Sequence, residues 1–210
     1  MKSFEPRVTT PERQGIRNAI RALCDKFDDS YWSAKDRTSF DNVEVPADRL
    51  IGEKGKGFRC LLDSLNLELV LNADEVIGMG RRALEKAVAY ANERVVFGRR
   101  IGQNQSTRHP LAECWAELHA AELMTRHAAE LYDCGKPCGA QANAAKYLAA
   151  DAGFHACDRA VCTHGGMGYA AEYHVERHFR EMVARQLAPI SREMTLCFIA
   201  EKELGLPKSY

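Results

Sequence analysis

The sequence predicts a mainly α fold, an up-and-down bundle of long helices with one short strand. Three observations predict it. Apolar residues recur at three- and four-residue spacing over long stretches. Alanines 145, 149, 152, 156 and 160 form a stripe that lets another helix approach closely. Glycines and prolines fall between these stretches, and a single segment alternates as a strand does. A chain of 210 residues, 46% apolar, has enough material for one sizeable core, or a domain with an appendage.

Taken in order, residues 8–27 read as a first helix. Thr9 and Glu12 offer a capping box, Pro11 suits the first turn, and Ile16, Ala19, Ile20, Leu23 and Phe27 make the apolar face. A polar stretch containing Tyr31 and Trp32 follows, and Phe40 to Val45 alternates as a strand ended by Pro46. From Gly52 onward the pattern is helical. Leu62, Leu65, Leu69, Ala73, Val76 and Gly80 share one face, and the helix runs through Leu84, Ala87, Val88 and Ala91 to Arg94. Bends are placed at Gly78 and Gly80, and Val95 to Gly98 reads as a loop. A connector, Arg99 to Thr107, leads to a helix from His109 to Asp133 with Leu111, Trp115, Leu118, Thr125, Ala128, Ala129 and Tyr132 inside. Gly135 and Pro137 end it. The alanine-striped helix covers Gln141 to Val161 and breaks at Gly165-Gly166-Met167-Gly168. Two more helices are expected, Glu172 to Ala184 and Pro189 to Leu204.

Composition excludes several classes. Formal net charge is zero, which gives no footprint for nucleic acid or an anionic membrane surface. No apolar run approaches the ~20 residues of a membrane span. The first eleven residues lack the apolar segment of a secretory signal, and Lys208-Ser209-Tyr210 is not the Ser-Lys-Leu peroxisomal address. A soluble intracellular protein is expected, its compartment open. The eight cysteines are read as reduced thiols packed as small hydrophobes. Cys134 and Cys138 lack two further ligands at zinc spacing, so no metal is expected.

One carboxylate and three loops carry the chemical interest. Glu68 has Leu65, Leu69 and Leu71 around it and no Lys or Arg three or four residues away. A carboxylate so placed on a buried helix holds a proton more strongly, as a general base must. The plain alternative is a glutamate on the rim of the apolar face, reaching water. In Glu93 to Gly98, Arg94 ahead of Phe97-Gly98 can grip a phosphate, or simply answer the helix dipole. Gln103, Asn104 and Gln105 can bond a heteroaromatic edge or a ribose, or form an ordinary polar loop. In Thr163 to Tyr169, Gly165 and Gly166 let backbone approach a ligand closely. No strand precedes them, so neither a dinucleotide-binding turn nor a phosphate-binding loop of the usual kinds fits.

Together, in this order, the loops resemble the C-terminal part of the acyl-CoA dehydrogenase family. The resemblance rests on Phe40 to Pro46, Gly55-Lys56-Gly57-Phe58, Tyr90 to Gly98, Gln105, His164 to Tyr169, Val175-Glu176-Arg177 and Arg180-Glu181. It implies three segments: an N-terminal helical remnant (1–38), a residual middle-domain strand and linker (39–52), and the C-terminal helical domain (53–210). It also implies FAD as cofactor and an acyl-CoA substrate oxidised between its α and β carbons, in fatty-acid or secondary metabolism. The electron acceptor would be an electron-transferring flavoprotein or oxygen. Arg94, Phe97 and Gln105 would touch the FAD of a neighbouring subunit, and Thr163, His164, Gly165 and Gly166 would meet the cofactor from another side. Such sharing implies a homo-oligomer.

Most of the family carries its base in a Glu-Gly-Thr turn before the last helix. Here that turn reads Leu187-Ala188-Pro189-Ile190-Ser191, and Pro189 accepts no proton. A minority place the glutamate on the earlier helix in a Leu-Glu-Arg segment. Leu67-Glu68-Leu69 matches that position, which makes Glu68 the expected base, with Glu193 and Glu181 as lesser candidates. Leu69 replaces the family's Arg, and Cys162 a Gln that meets the flavin nucleotide. The chain also passes from the first helix to the strand without most of the family's β domain. Loss of that domain leaves an alternative of another class: an inert helical module that pairs with itself or a longer relative.

Overall fold

The structure, a computed structural model, describes residues 46–47 and 50–209. The expectations for the first helix, the Tyr31-Trp32 stretch and the strand over 40–45 lie outside the described residues. The chain divides after Ile51, and the unit from Gly52 onward is the one with elements to describe.

Five α-helices are seen among the described residues: α1 (Gly57–Glu93), α2 (Gln105–Asp133), α3 (Gly139–His164), α4 (Val175–Leu187) and α5 (Arg192–Lys202). The expected mainly α, up-and-down architecture is what the unit adopts, and α3 lies against all four other helices.

The reason lies in residue size. The alanine stripe of α3 is buried throughout, and so are Leu69, Ala73, Val76, Ile77, Ala83 and Ala87 of α1. At the centre Gly80 faces Gly153. A methyl group on Gly80 would stand 3.1 Å from the Gly153 Cα, and one on Gly153 would stand 2.8 Å from Val76 Cγ1. Two helices of 37 and 26 residues therefore pack with backbones nearly touching. α1 passes through Gly78 and Gly80 as one helix.

α2 contributes Leu111, Cys114, Leu118, Ala121, Thr125 and Ala128 to the core. Two expected inner residues are corrected: Trp115 is 56% and Tyr132 40% exposed. The buried stripe runs through Cys114 and Ala121 instead, because the alanine-rich α3 leaves little space for large rings beside it. α2 also begins at Gln105 rather than His109. Pro110 sits early in it, where its ring removes a single helical bond.

The segment 95–98 is not a plain loop. Val95–Val96 and Arg99–Arg100 form a two-stranded antiparallel hairpin, β1 and β2, with Val95 opposite Arg100 and Val96 opposite Arg99. Its two central residues, Phe97 (φ +51°) and Gly98 (φ +78°), both have positive φ, as a tight twisted hairpin turn requires. Strands of two residues carry too little alternation to be read from sequence.

Candidate functional site

One end of the bundle gathers most of the predicted loop residues. The last turn of α1 brings Tyr90 onto His164 at the end of α3, with ring centroids 4.3 Å apart and planes at 25°. Tyr173 closes on both rings edgewise, at 5.9 and 5.6 Å. His164 is buried, and its Nδ1 donates to the Ala160 carbonyl at 2.8 Å. A carbonyl can only accept, so Nδ1 carries the hydrogen. Thr163 turns its hydroxyl back to the Arg159 carbonyl, 2.7 Å away.

Gly165 then takes φ +60° and leaves α3 for a 3-10 turn, Gly165–Tyr169. Open space surrounds the positions where side chains at Gly165 and Gly166 would stand, so the backbone is free for a ligand to approach. Arg94, Arg99 and Arg100 are exposed beside the hairpin, and Phe97 is wholly exposed at its tip. Gln105 is exposed at the first position of α2. The short turn Ile101–Gln103 is tucked against α1, where a methyl on Gly102 would lie 3.0 Å from the Ala91 carbonyl oxygen. Open glycine backbone and exposed guanidinium groups are the kinds of donor that can meet a phosphate.

Glu68 is elsewhere. Tyr90 lies about 33 Å further along α1, at 1.5 Å per residue. Glu68 is exposed, so the burial that the sequence reading required is not met in this unit. The physical reason is angular. The buried stripe runs through Leu69, Ala73 and Val76, and Glu68 stands about 100° round the helix from Leu69. The rim position is the one observed.

A second face of α1 holds an open depression of about 400 Å³ lined by Ser64, Leu67, Glu68, Leu71, Asn72, Glu75 and, from α4, Arg185. Arg185 pairs with Glu75 at 2.6 Å. Lys146 of α3, almost fully buried, donates to the Arg185 carbonyl in the last turn of α4, where a cation meets the negative end of the helix dipole. Burial and the nearby Arg185 push the Lys146 ammonium below its ordinary value. Sequence spacing did not single out Asn72, Glu75, Lys146 or Arg185. Asn72 and Glu75 follow Glu68 at i+4 and i+7 on α1 itself, and the approach of α4 adds Arg185.

Among the described residues, one group combines metal-ligating types: Cys114, Glu117 and His155, with ligand atoms within 4.8 Å of one another. His155 Nδ1 and Glu117 Oε2 already bond at 2.7 Å, and burial pushes the Cys114 thiol up to about 12, which keeps it protonated. Glu181 and Glu193 are exposed on α4 and α5, and neither lines the depression beside Glu68. No helix among the described residues is long and apolar enough to cross a membrane.

Residues 55–203 match the C-terminal domain of acyl-CoA dehydrogenases. Among curated relatives, the acyl-CoA dehydrogenase FadE12 of Mycobacterium tuberculosis is 45% identical over 172 residues, 81% of this chain and 44% of its own length. The structure of butyryl-CoA dehydrogenase from Megasphaera elsdenii superposes with a TM-score of 0.73 at 33% identity, covering 78% of this chain and 43% of that one. An FAD complex of PigA superposes with a TM-score of 0.72 at 26% identity, over 78% and 43%. The chain thus spans less than half the length of FadE12. Helical architecture, loop order and relatedness agree: the chain belongs to the acyl-CoA dehydrogenase family.

Proposed function

We propose that this chain supplies the helical part of an FAD-dependent acyl-CoA dehydrogenase, with Glu68 as the base. The observation that carries the reading is Glu68 itself: a carboxylate in an open depression, in no ion pair among the described residues. An unpaired carboxylate there has an oxygen available for the proton α to a thioester carbonyl. Bound FAD supplies the hydride acceptor on the β-carbon side. Tyr90, His164 and the Gly165-Gly166 backbone form a fixed platform, and Arg94 and Gln105 offer donors to phosphate and ribose or ring edge. The platform and Glu68 lie further apart on α1 than one extended dinucleotide reaches. Two copies of the chain would therefore serve each cofactor, with Phe97 and Arg94 of one copy meeting the flavin nucleotide held beside Glu68 of another. An electron-transferring flavoprotein or oxygen is the expected acceptor.

The second reading, an inert pairing module, draws on the exposed Phe58, Leu61, Leu62, Leu67 and Leu71 along the first turns of α1. The colour of the purified protein separates the two. Uptake of FAD, with bleaching on addition of acyl-CoA, supports the enzyme. A protein that stays colourless with added FAD supports the module. Glu68→Gln should keep the flavin while lowering turnover by roughly 10²-fold or more, and unchanged turnover would remove Glu68 from the role of base.

A further inference from the structure

α2 and α3 bring three side chains with metal-binding atoms together. Cys114 and Glu117 stand three residues apart on one side of α2, and His155 meets them from α3. The thiol sulfur, a carboxylate oxygen and a ring nitrogen all lie within 4.8 Å of one another. His155 Nδ1 and Glu117 Oε2 are 2.7 Å apart. An ionised carboxylate only accepts, so Nδ1 carries the hydrogen between them.

Geometry decides how an ion fits. A tetrahedral ion with bonds of about 2.0–2.3 Å keeps its ligand atoms roughly 3.3–3.7 Å apart. The His155–Glu117 pair must open and close on the sulfur, a shift of about 1 Å. Both side chains have room for it, being 33% and 40% exposed. Cys114 is fully buried and forms the floor. The ion takes the place of the hydrogen between the two outer groups and meets the sulfur from that side, rather than lying out in solvent.

Donor chemistry narrows the ion. Thiolate and imidazole together select zinc and its relatives over magnesium or calcium. Coordination removes a thiol's proton outright, so the burial that pushes Cys114 up to about 12 lowers affinity without barring the site. One thiolate and one carboxylate balance the two charges of the ion, which leaves no net charge in a half-buried place. An open depression of about 510 Å³, lined by Glu117 and His155 with Tyr147, Phe154 and Asp158, gives water access to a fourth position.

We propose that Cys114, Glu117 and His155 bind one zinc-class divalent ion, which ties α2 to α3 and keeps a fourth position open to water. The site shares no residue with the Glu68 depression or the double-glycine turn, and it does not depend on the flavin reading.

The test is titration of the full chain, reduced and freed of metal by a chelator, with Co²⁺ as a spectroscopic stand-in and then with Zn²⁺. One equivalent of Co²⁺ should bring a sulfur-to-cobalt charge-transfer band in the near ultraviolet, and one equivalent of Zn²⁺ should remove it. Cys114→Ser should abolish the band. His155→Gln, at a partly exposed position, should weaken binding roughly 10²-fold, since loss of even a supporting partner costs 10–100-fold. Should Cys114→Ser not fold, His155→Gln decides alone. Wild-type protein without the band overturns the inference. A band of unchanged strength and affinity in either variant also overturns it, as it means that another cysteine holds the ion.

Discussion

The histidine in the double-glycine loop is held from several sides. His164 is buried, donates through Nδ1 to its own helix and lies between Tyr90 and Tyr173. These contacts fix the end of α3 from which the double-glycine turn leaves. Glu122 shows the opposite balance. Its side chain is 13% exposed and meets both Arg81 and Arg126. Burial works to raise its carboxyl, but the Arg81 hydrogen bond and charge, joined by the Arg126 charge, outweigh burial and hold it below the ordinary value of 4.5. A folded-state value lowered in this way contributes stability above the unfolded value, and the contribution fades as pH falls through the folded one. Glu122→Gln should therefore cost roughly 1.5–3 kcal/mol at neutral pH. Melting followed by circular dichroism should show the gap between the two proteins narrowing as pH falls below 4.5. A constant gap down to pH 3 would count against this account.

At the scale of elements, the helices were legible because their apolar spacing is dense. The alanine stripe in particular has no other sensible reading than a close helix contact. Boundaries moved by a few residues where local turns intervened. α4 begins at Val175 rather than Glu172 because Ala171–Tyr173 forms a 3-10 turn and His174 takes φ +62°. α5 begins at Arg192 because Ser191 caps it, accepting from the Met194 N–H at 3.4 Å. The glycines of the loop after α3 are not equivalent. A methyl on Gly168 would overlap the Val161 carbonyl and stand 3.0 Å from its Cα, whereas one on Gly166 meets nothing within 4 Å. Gly168→Ala should lower stability by about 1–3 kcal/mol, the usual penalty of overpacking. Gly166→Ala should leave the melting temperature close to wild type. Equal melting temperatures for the two variants would show that the turn moves freely away from α3.

At the scale of the whole molecule, two of the unit's several exposed apolar features bear on assembly. One is the hairpin tip, where Phe97 holds a left-handed conformation unusual for an aromatic residue. Such strain persists where surroundings select it, and a second copy of the chain is the surrounding that our reading names. The wild-type protein is expected to sediment as a dimer or larger at micromolar concentration, and Phe97→Asp to shift it toward monomer. A wild-type monomer with full flavin occupancy would sink the two-copy arrangement. The other feature is the run of exposed leucines on the first turns of α1; it includes Leu62, which spacing had placed on the apolar face with Leu69 and Ala73.

By itself the sequence determined the helical class, the order of the helices and the identity of the loops at their ends. Those depend on local spacing and on glycine, proline and alanine chemistry, which act within a few residues of chain. Only the tertiary structure decided that α4 sets Arg185 beside Glu68 and that Tyr90 stacks on His164. It also decided that Asn72 and Arg185 share one cavity. The reason is that α1 presents two faces, and spacing along a helix marks the one that is buried. The chemistry of the other face is set by what α3 and α4 bring beside it.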